Sequence, residues 1–261
     1  MRKFLQLTLL LASLLTTNHT FAQPAGTPYG DQDEMMFNHL DIGLELGTTG
    51  IGLEVAMPCT KHVALRTGFS IMPPFSYSTD IDFKTNKDKR EGTEHNVNVK
   101  AKLHMVDWKL LADYYPTSKG TFHLTAGFFL GTNFPVRMKN TEDIDVEEGE
   151  GLEIGKNRTF IRPYPDEHGI VKLNMATNKF KPYLGIGFGR AIPKRRVNCA
   201  FDLGAQFWGK PCLKAYSYDE EEWVKVLKGD VGEDDFDDAL DIIKKIVVYP
   251  VLSIRVNFRA F

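Results

Sequence analysis

The chain has few cysteines, little net charge, and no apolar segment of membrane-spanning length after its first 22 residues. Cys59, Cys199 and Cys212 are an odd, widely spaced set, which predicts at least one unpaired thiol and no metal motif. The formal net charge of −2 over 261 residues gives no basic excess, so we expect no nucleic-acid partner. A spanning helix needs about 20 consecutive apolar residues, so a membrane would have to be crossed by strands.

The first residues are typical of an export signal. Met1-Arg2-Lys3 precedes an apolar run from Phe4 to Leu15 and then Thr20-Phe21-Ala22. The run is too short to cross a bilayer, and the small residues at 20 and 22 suit signal peptidase. We therefore expect a signal peptide at 1–22, a periplasmic lead-in at 23–37 and a folded domain at 38–261.

Eight segments alternate apolar and polar residues with the period of a β-strand whose two faces see different surroundings. Leu40-Asp41-Ile42-Gly43-Leu44-Glu45-Leu46-Gly47 is the clearest example. The apolar positions change parity between Met105 and Val106, which predicts a β-bulge there. The predicted strands are 39–47, 51–57, 63–71, 97–115, 121–133, 180–190, 197–208 and 248–259, and a ten-stranded alternative adds 153–162 and 170–176.

The connections between these strands differ in length from one end to the other. Three long loops are predicted at 72–98, 134–178 and 210–247, and the remaining links are short. Outer-membrane β-barrels have this asymmetry, with short periplasmic turns and long external loops. Two aromatic belts are expected, one at Tyr114, Tyr115, Phe122, Phe201 and Phe258, and the other at Phe69, Phe128, Phe180, Phe207, Trp208 and Tyr249.

The second face of the strands carries charged residues among many glycines. Basic residues facing lipid at mid-depth would cost about 2–4 kcal/mol each, so the charged face is expected to line the lumen. An eight-stranded lumen is narrow enough to be filled by side chains, and unpaired charges there are disfavoured. We predict a lumen charge network of Glu45, Glu54, Arg66, Asp202 and Arg255. Gly185, Gly187 and Gly189 indicate narrow interior packing.

The last long loop has helical spacing. Asp219 is expected to cap a first helix that ends at Gly229, and a second helix carries Phe236, Ala239, Leu240 and Ile243 on one stripe. That stripe is expected to cover the barrel mouth as a lid, with binding of a partner as the alternative.

These features resemble the small porin-like, OmpA- or OmpX-type outer-membrane β-barrel family. The resemblance rests on the export signal, the alternating strands, residues 40–47 and the terminal Phe261. It implies an all-β, eight-stranded antiparallel up-and-down transmembrane barrel with a helical extracellular insertion, exposed at the surface of a Gram-negative cell. It also implies that Phe261 acts as an assembly signal for the barrel assembly machinery, and that outer-membrane lipid and lipopolysaccharide surround the barrel.

The expected function is a non-enzymatic outer-membrane scaffold or surface-recognition protein with a lumen closed by its charge network and no cofactor. A narrow pore for ions or small solutes and a soluble lipocalin-like ligand-binding barrel are the alternatives. His104 with Asp107, and His168 with Asp166, are the local candidates for catalysis, but neither has an obvious nucleophile. The acidic segment 142–153 lacks the ligand register of a calcium loop.

Overall fold

The computed structural model describes residues 40–83, 95–117, 120–141, 152–154, 159–161, 170–192, 196–217, 221–228 and 234–260. Within them lie fourteen strands and one helix, so the all-β prediction is confirmed. The expected signal peptide, the lead-in and Phe261 fall outside the described residues. The elements are β1 (Asp41–Gly47), β2 (Gly50–Pro58), β3 (Val63–Phe83), β4 (His95–Tyr114), β5 (Phe122–Gly131), β6 (Val136–Asn140), β7 (Leu152–Ile154), β8 (Thr159–Ile161), β9 (Lys172–Ala176), β10 (Phe180–Phe188), β11 (Val197–Phe207), β12 (Cys212–Ser217), β13 (Glu222–Lys225), α1 (Asp234–Lys245) and β14 (Val248–Arg259).

Twelve of these strands form one antiparallel sheet, and eight of them close into a ring. The ring runs β1-β2-β3-β4-β5-β10-β11-β14, and β14 pairs back with β1. The first turn of the ring is tight because Gly50, with φ of 100°, adopts a conformation that other residues avoid. The chain ends are brought together, with Asp41 opposite Arg259. The placement of the ring in a membrane is proposed below.

One side of the ring continues past its long-loop end. There β4 exchanges its partner β5 for β6, and β9, β12 and β13 follow in order across the sheet. We call β6, β9, β12 and β13, together with the paired segments 75–83 and 95–103, the extension. β6 follows β5, β9 precedes β10 and β12 follows β11 with only a few residues between them. The extension is therefore an outward prolongation of the ring wall.

The strands outside the ring correct four sequence predictions. Residues 72–98 are largely not a loop, because β3 passes Pro73-Pro74 with a register shift between Met72 and Phe75 and stays paired with β4 as far as Phe83. The loops expected at 134–178 and 210–247 contain β6, β9, β12 and β13. The extra strand pair of the ten-stranded alternative does not enter the ring, because β7 and β8 pair only with each other and β9 joins the extension.

The predicted bulge in β4 is also misplaced. β4 pairs with β3 without a shift across Met105 and Val106, and the irregularity lies in β3. Met105 is buried and Val106 is exposed, in step with the residues that follow. The apolar residues change face there because the surroundings of the strand change and not because its register does.

The last insertion contains one of the two expected helices. The segment expected to form a helix after Asp219 contains β13, which pairs with β12 and places Val224 opposite Ala215. α1 spans the expected stripe from Phe236 to Ile243. In the described part of the chain, no helix is long and apolar enough to cross a membrane.

Candidate functional site

The interior of the ring holds a cluster of buried charged side chains, and it is the strongest candidate for a site. The five residues of the predicted network come from five strands and are each at most 4% exposed: Glu45 of β1, Glu54 of β2, Arg66 of β3, Asp202 of β11 and Arg255 of β14. Their neighbours along each strand, such as Leu44, Leu53 and Ile254, point outward and are about half exposed. Alternation along the strands therefore brings the charges together inside.

Two arginines join the carboxylates of this cluster. The Arg66 guanidinium lies 3.1 Å from Oε2 of Glu54, 2.7 Å from Oδ2 of Asp113 and 3.6 Å from Oδ1 of Asp202. Arg255 donates from Nε to Asp202 Oδ2 at 2.6 Å, and its Nη1 lies 3.5 Å from Glu54 Oε2. Asp202 and Glu54 thus each bridge both guanidinium groups. Paired in this way, charges can remain in a dry interior.

The sequence prediction omitted other members of the cluster. Lys109 of β4 ion-pairs with both Glu45 and Glu54. Asp113 accepts a hydrogen bond from Thr125 Oγ1 at 2.7 Å. His123 Nε2 lies 2.8 Å from Asp202 Oδ1. Lys109 and Asp113 lie on the face of β4 opposite to Val106, Trp108 and Leu110. The alternation of β4 could therefore have identified them from the sequence.

A second ion pair lies nearer the long-loop end. Lys181 of β10 donates to Asp107 Oδ1 at 2.8 Å, and its ammonium lies 5.9 Å from the centre of the Trp208 ring. Trp208 stacks on Tyr249 with ring centroids 4.6 Å apart. Trp208 and Tyr249 therefore lie inside, which corrects their assignment to an outer aromatic belt. Tyr115 is likewise interior, at 4% exposed.

Apolar layers fill the interior above and below the charges. Ala56, Ala64, Tyr115 and Ala191 pack at the short-loop end, and Leu111, Phe129, Tyr183 and Val251 form another layer. Gly185 and Gly187 leave room for these side chains, since an added Cβ would lie 2.5 Å from Tyr183 Oη and 2.5 Å from His123 Nε2 respectively. The glycines therefore reflect a crowded interior.

α1 and part of the extension meet at the long-loop end of the ring. Met105, Met175 and Trp208 form a buried cluster there, and Ile243 of α1 packs against it, as do Met72, Val136 and Tyr249. Leu240 of α1 packs in a neighbouring core with Leu213, Ala215 and Val226. α1 therefore lies against the inner face of the extension and reaches the ring mouth, the position expected of a lid. The side chains of Phe236 and Ala239 lie outside the described set.

The other residues of the two expected aromatic belts lie on the outer face of the ring, near its two ends. Near the short-loop end, Phe122 and Phe188 are cross-strand neighbours with ring centroids 5.4 Å apart. Near the long-loop end, Phe128 lies 5.0 Å from Phe180 and 5.8 Å from Trp108. Outer positions of β4 between the belts, from Val106 to Tyr114, span about 20–25 Å of height for strands tilted about 40°.

The sequence candidates for catalysis do not meet in space. His104 Nδ1 lies 2.7 Å from the carbonyl oxygen of Met72, whereas Asp107 faces inward and binds Lys181. His168 and Asp166 lie outside the described residues. No metal-binding group of His, Cys, Asp and Glu occurs within the described ranges, and the three cysteines are free thiols.

Neither a family model nor a curated protein matches the chain. It is similar to the crystal structure of Acinetobacter baumannii CarO2, with a TM-score of 0.50 and 16% identity over 86% of this chain and 99% of that one. Weaker similarities are to Acinetobacter baumannii CarO (TM-score 0.47, 19% identity, 87% and 99% covered) and to a major outer membrane protein from Thermus thermophilus (TM-score 0.30, 14% identity, 85% and 98% covered).

At these identities the likeness is one of fold alone. The structural neighbours are outer-membrane β-barrel proteins, so the fold agrees with an outer-membrane β-barrel in general. It does not distinguish the OmpA or OmpX type within that group.

Proposed function

We propose that the ring spans the outer membrane and that the chain is a non-enzymatic scaffold or surface-recognition protein with a closed lumen. The observation that carries the proposal is the polarity of the ring. Leu44, Leu184, Ile254 and Phe69 are 47–60% exposed on the outside, whereas Arg255 and Lys181 are 0% exposed inside. A water-soluble barrel has the reverse arrangement, and so large an apolar surface indicates a lipid environment.

The closed lumen is supported by the packing described above. Charged, aromatic and aliphatic layers succeed one another along the interior, and the Ile243 cluster covers the long-loop end. The cations and carboxylates of the described interior cluster, and Lys181 with Asp107, are ion-paired with one another across the lumen. This arrangement favours the scaffold over the narrow pore.

Cell fractionation and electrophoresis test the membrane placement. The full chain, expressed with its own N-terminus, is expected to fractionate with outer membranes. It should migrate faster in detergent gels before heating than after, as folded β-barrels do. A mature chain that stays monomeric in buffer without detergent, with no heat-dependent shift, would contradict the proposal and favour the lipocalin-like alternative.

Planar-bilayer recording tests the closed lumen. The parent protein is expected to give no steady conductance, whereas Arg255→Ala is expected to give openings because it removes a guanidinium from the centre of the lumen. Ile243→Ala is the matched change at the mouth of the ring and should raise the conductance less than Arg255→Ala does. Steady channels in the parent would support the pore instead.

A further inference from the structure

The outer face of the extension carries basic residues on β4, β6, β9, β12 and β13. The strand registers place Lys100 opposite Lys139, Lys102 opposite Arg137, and Lys139 opposite Lys172. Further along the same sheet Lys214 lies opposite Lys225. The members of this basic face are Lys100, Lys102, Arg137, Lys139, Lys172, Lys214 and Lys225.

In the described segments of β4, β6, β9, β12 and β13, the residues that alternate onto this basic face include cations and no carboxylates. The β3 segment of the extension differs, because its register pairs Asp80 with Asn98 and Asp82 with Asn96. Like charges directly opposite each other on neighbouring strands destabilise a sheet. Four such pairs in one small sheet make this face a favourable site for an anionic ligand.

The position of the basic face identifies that ligand. Lys100 and Lys102 share the face of β4 that carries Val106, Trp108 and Leu110 in the ring, because they have the same parity on β4 and the extra residue of the register shift lies in β3. Lys102 lies four positions before Val106, about 13 Å along the strand and about 10 Å in height. The headgroup region extends about 5–8 Å beyond the hydrocarbon core, within reach of a lysine side chain.

Aromatic side chains accompany the cations on this face. The Lys172 ammonium lies 6.0 Å from the centre of the Tyr216 ring, and Tyr216 lies 5.1 Å from Trp223. Trp223 in turn contacts Phe134, with ring centroids 5.6 Å apart. Tyrosine and tryptophan are enriched at the interface between membrane and water, where one end of the ring is apolar and the other is polar.

We propose that the basic face binds the phosphate groups of lipids in the outer leaflet around the ring. The proposal rests on the membrane placement of the ring and adds a partner to it. Lysine and arginine side chains recognise phosphate by charge and hydrogen bonding. The source of the phosphate is the lipid headgroup, because the face is continuous with the lipid-facing surface below it.

Native mass spectrometry of the full chain in a neutral detergent tests this proposal. The probes are a lipid A that carries two phosphates and the same lipid after enzymatic dephosphorylation. The variant Lys102→Gln/Arg137→Gln/Lys139→Gln is expected to bind the phosphorylated probe about a hundredfold more weakly, at about fivefold for each cation removed. Binding by the parent should weaken as salt is raised.

Lys228→Gln/Lys244→Gln/Lys245→Gln is the matched control, because it removes the same charge from exposed positions at and before α1, away from the basic face. This control variant should bind the phosphorylated lipid A with the affinity of the parent. Unchanged binding by the first variant, or equal binding of the dephosphorylated lipid, would overturn the proposal. Inositol hexakisphosphate bound as tightly as lipid A would assign the face to a soluble anion and also overturn it.

Heat-dependent gel migration of each variant separates this proposal from the one on which it rests. A parent that folds and inserts into phosphatidylcholine vesicles but does not bind lipid A contradicts the basic-face proposal alone. A parent that does not insert contradicts the proposed function itself.

Discussion

The ring and the extension are two parts of one sheet with opposite polarity. In the ring, outward Leu184 is 58% exposed and inward Lys181 is fully buried. In the extension, inward Leu213 and Ala215 are buried against α1, whereas outward Lys139 is exposed. The backbone geometry is the same in both parts. What differs is the medium expected on the outside, lipid hydrocarbon around the ring and headgroups and water around the extension.

The difference shows that alternation along a strand indicates different surroundings on its two faces. It does not indicate which face points inward. β4 passes through both regions, and its buried positions keep one parity from Met105 to Asp113. Apolar residues occupy that parity before Val106, and Asp107, Lys109 and Asp113 occupy it afterwards in the ring. A change in apolar parity within a regularly paired strand therefore marks a boundary between media.

The largest effect is expected from breaking the interior of the ring. Arg255→Ala removes a guanidinium that contacts Asp202 and Glu54 and leaves their carboxylates under-compensated in a dry interior. The free energy of unfolding should fall by about 3–5 kcal/mol. Urea unfolding in lipid vesicles, followed by loss of the heat-dependent gel shift, measures it.

Arg137→Ala is the matched change in the extension, because Arg137 is exposed on the outer face. It should change the unfolding free energy by less than about 0.5 kcal/mol. Equal losses in the two variants would contradict the difference in polarity between the regions.

A charged substitution on the outer face of the ring is expected to destabilise the protein. Leu184 lies midway between Phe180 and Phe188 on β10 and pairs with Ala126 and Ala205. Leu184→Arg should cost about 2–4 kcal/mol in a bilayer, because the guanidinium would lie near the membrane midplane. Vesicle refolding yield and urea midpoint measure the loss, with Leu184→Ala as the control. A variant as stable as the control would argue against lipid at this face.

The core of the extension is expected to unfold separately from the ring. Leu240→Ala opens a cavity among Leu213, Ala215 and Val226, and should destabilise this region by about 2 kcal/mol. Limited proteolysis should then cleave the extension faster, while the heat-dependent migration of the ring stays unchanged. Loss of that migration at the same protease dose would show that the two regions unfold together.

The smallest effect is expected at the surface of α1. Asp241 accepts hydrogen bonds from Lys244 and Lys228, and these hydrogen bonds, the one from Lys244 first, lower the pKa of its carboxyl. A lowered carboxyl pKa contributes stability above the usual aspartate pKa and loses it as the pH falls through the lowered value. Because the pair is exposed, Asp241→Asn should leave the urea midpoint at pH 7 unchanged. A measurable shift in the urea midpoint would indicate that the hydrogen bonds of Asp241 hold α1 in place.

The alternation of the sequence predicts the strands that the structure pairs into the ring, because each presents apolar residues on one side and polar or charged residues on the other. Leu40 to Gly47 alternates without interruption, and the structure pairs that strand with both β2 and β14. The five residues predicted as a lumen network all lie in the interior cluster. Their role in closing a lumen stays a prediction.

The extension was missed for a physical reason. Its strands are short, and β6 alternates apolar and basic residues over only a few positions while β12 has one basic residue, Lys214, patterns that a loop can also show. Strand pairing there depends on α1 and on neighbouring strands distant in sequence, contacts that no local pattern reports. Trp223 and Val226 have helical spacing, yet β13 forms because β12 offers it an edge.

In the proposed membrane placement, the polarity change in β4 also sets how deeply the ring lies in the bilayer. Moving the chain outward by two residues would expose Val106 to water, and moving it inward would draw Lys102 beneath the headgroups. Both displacements carry a cost, so the protein has one preferred depth. In a bilayer of a different thickness, the surrounding lipid would have to stretch or compress to meet that level.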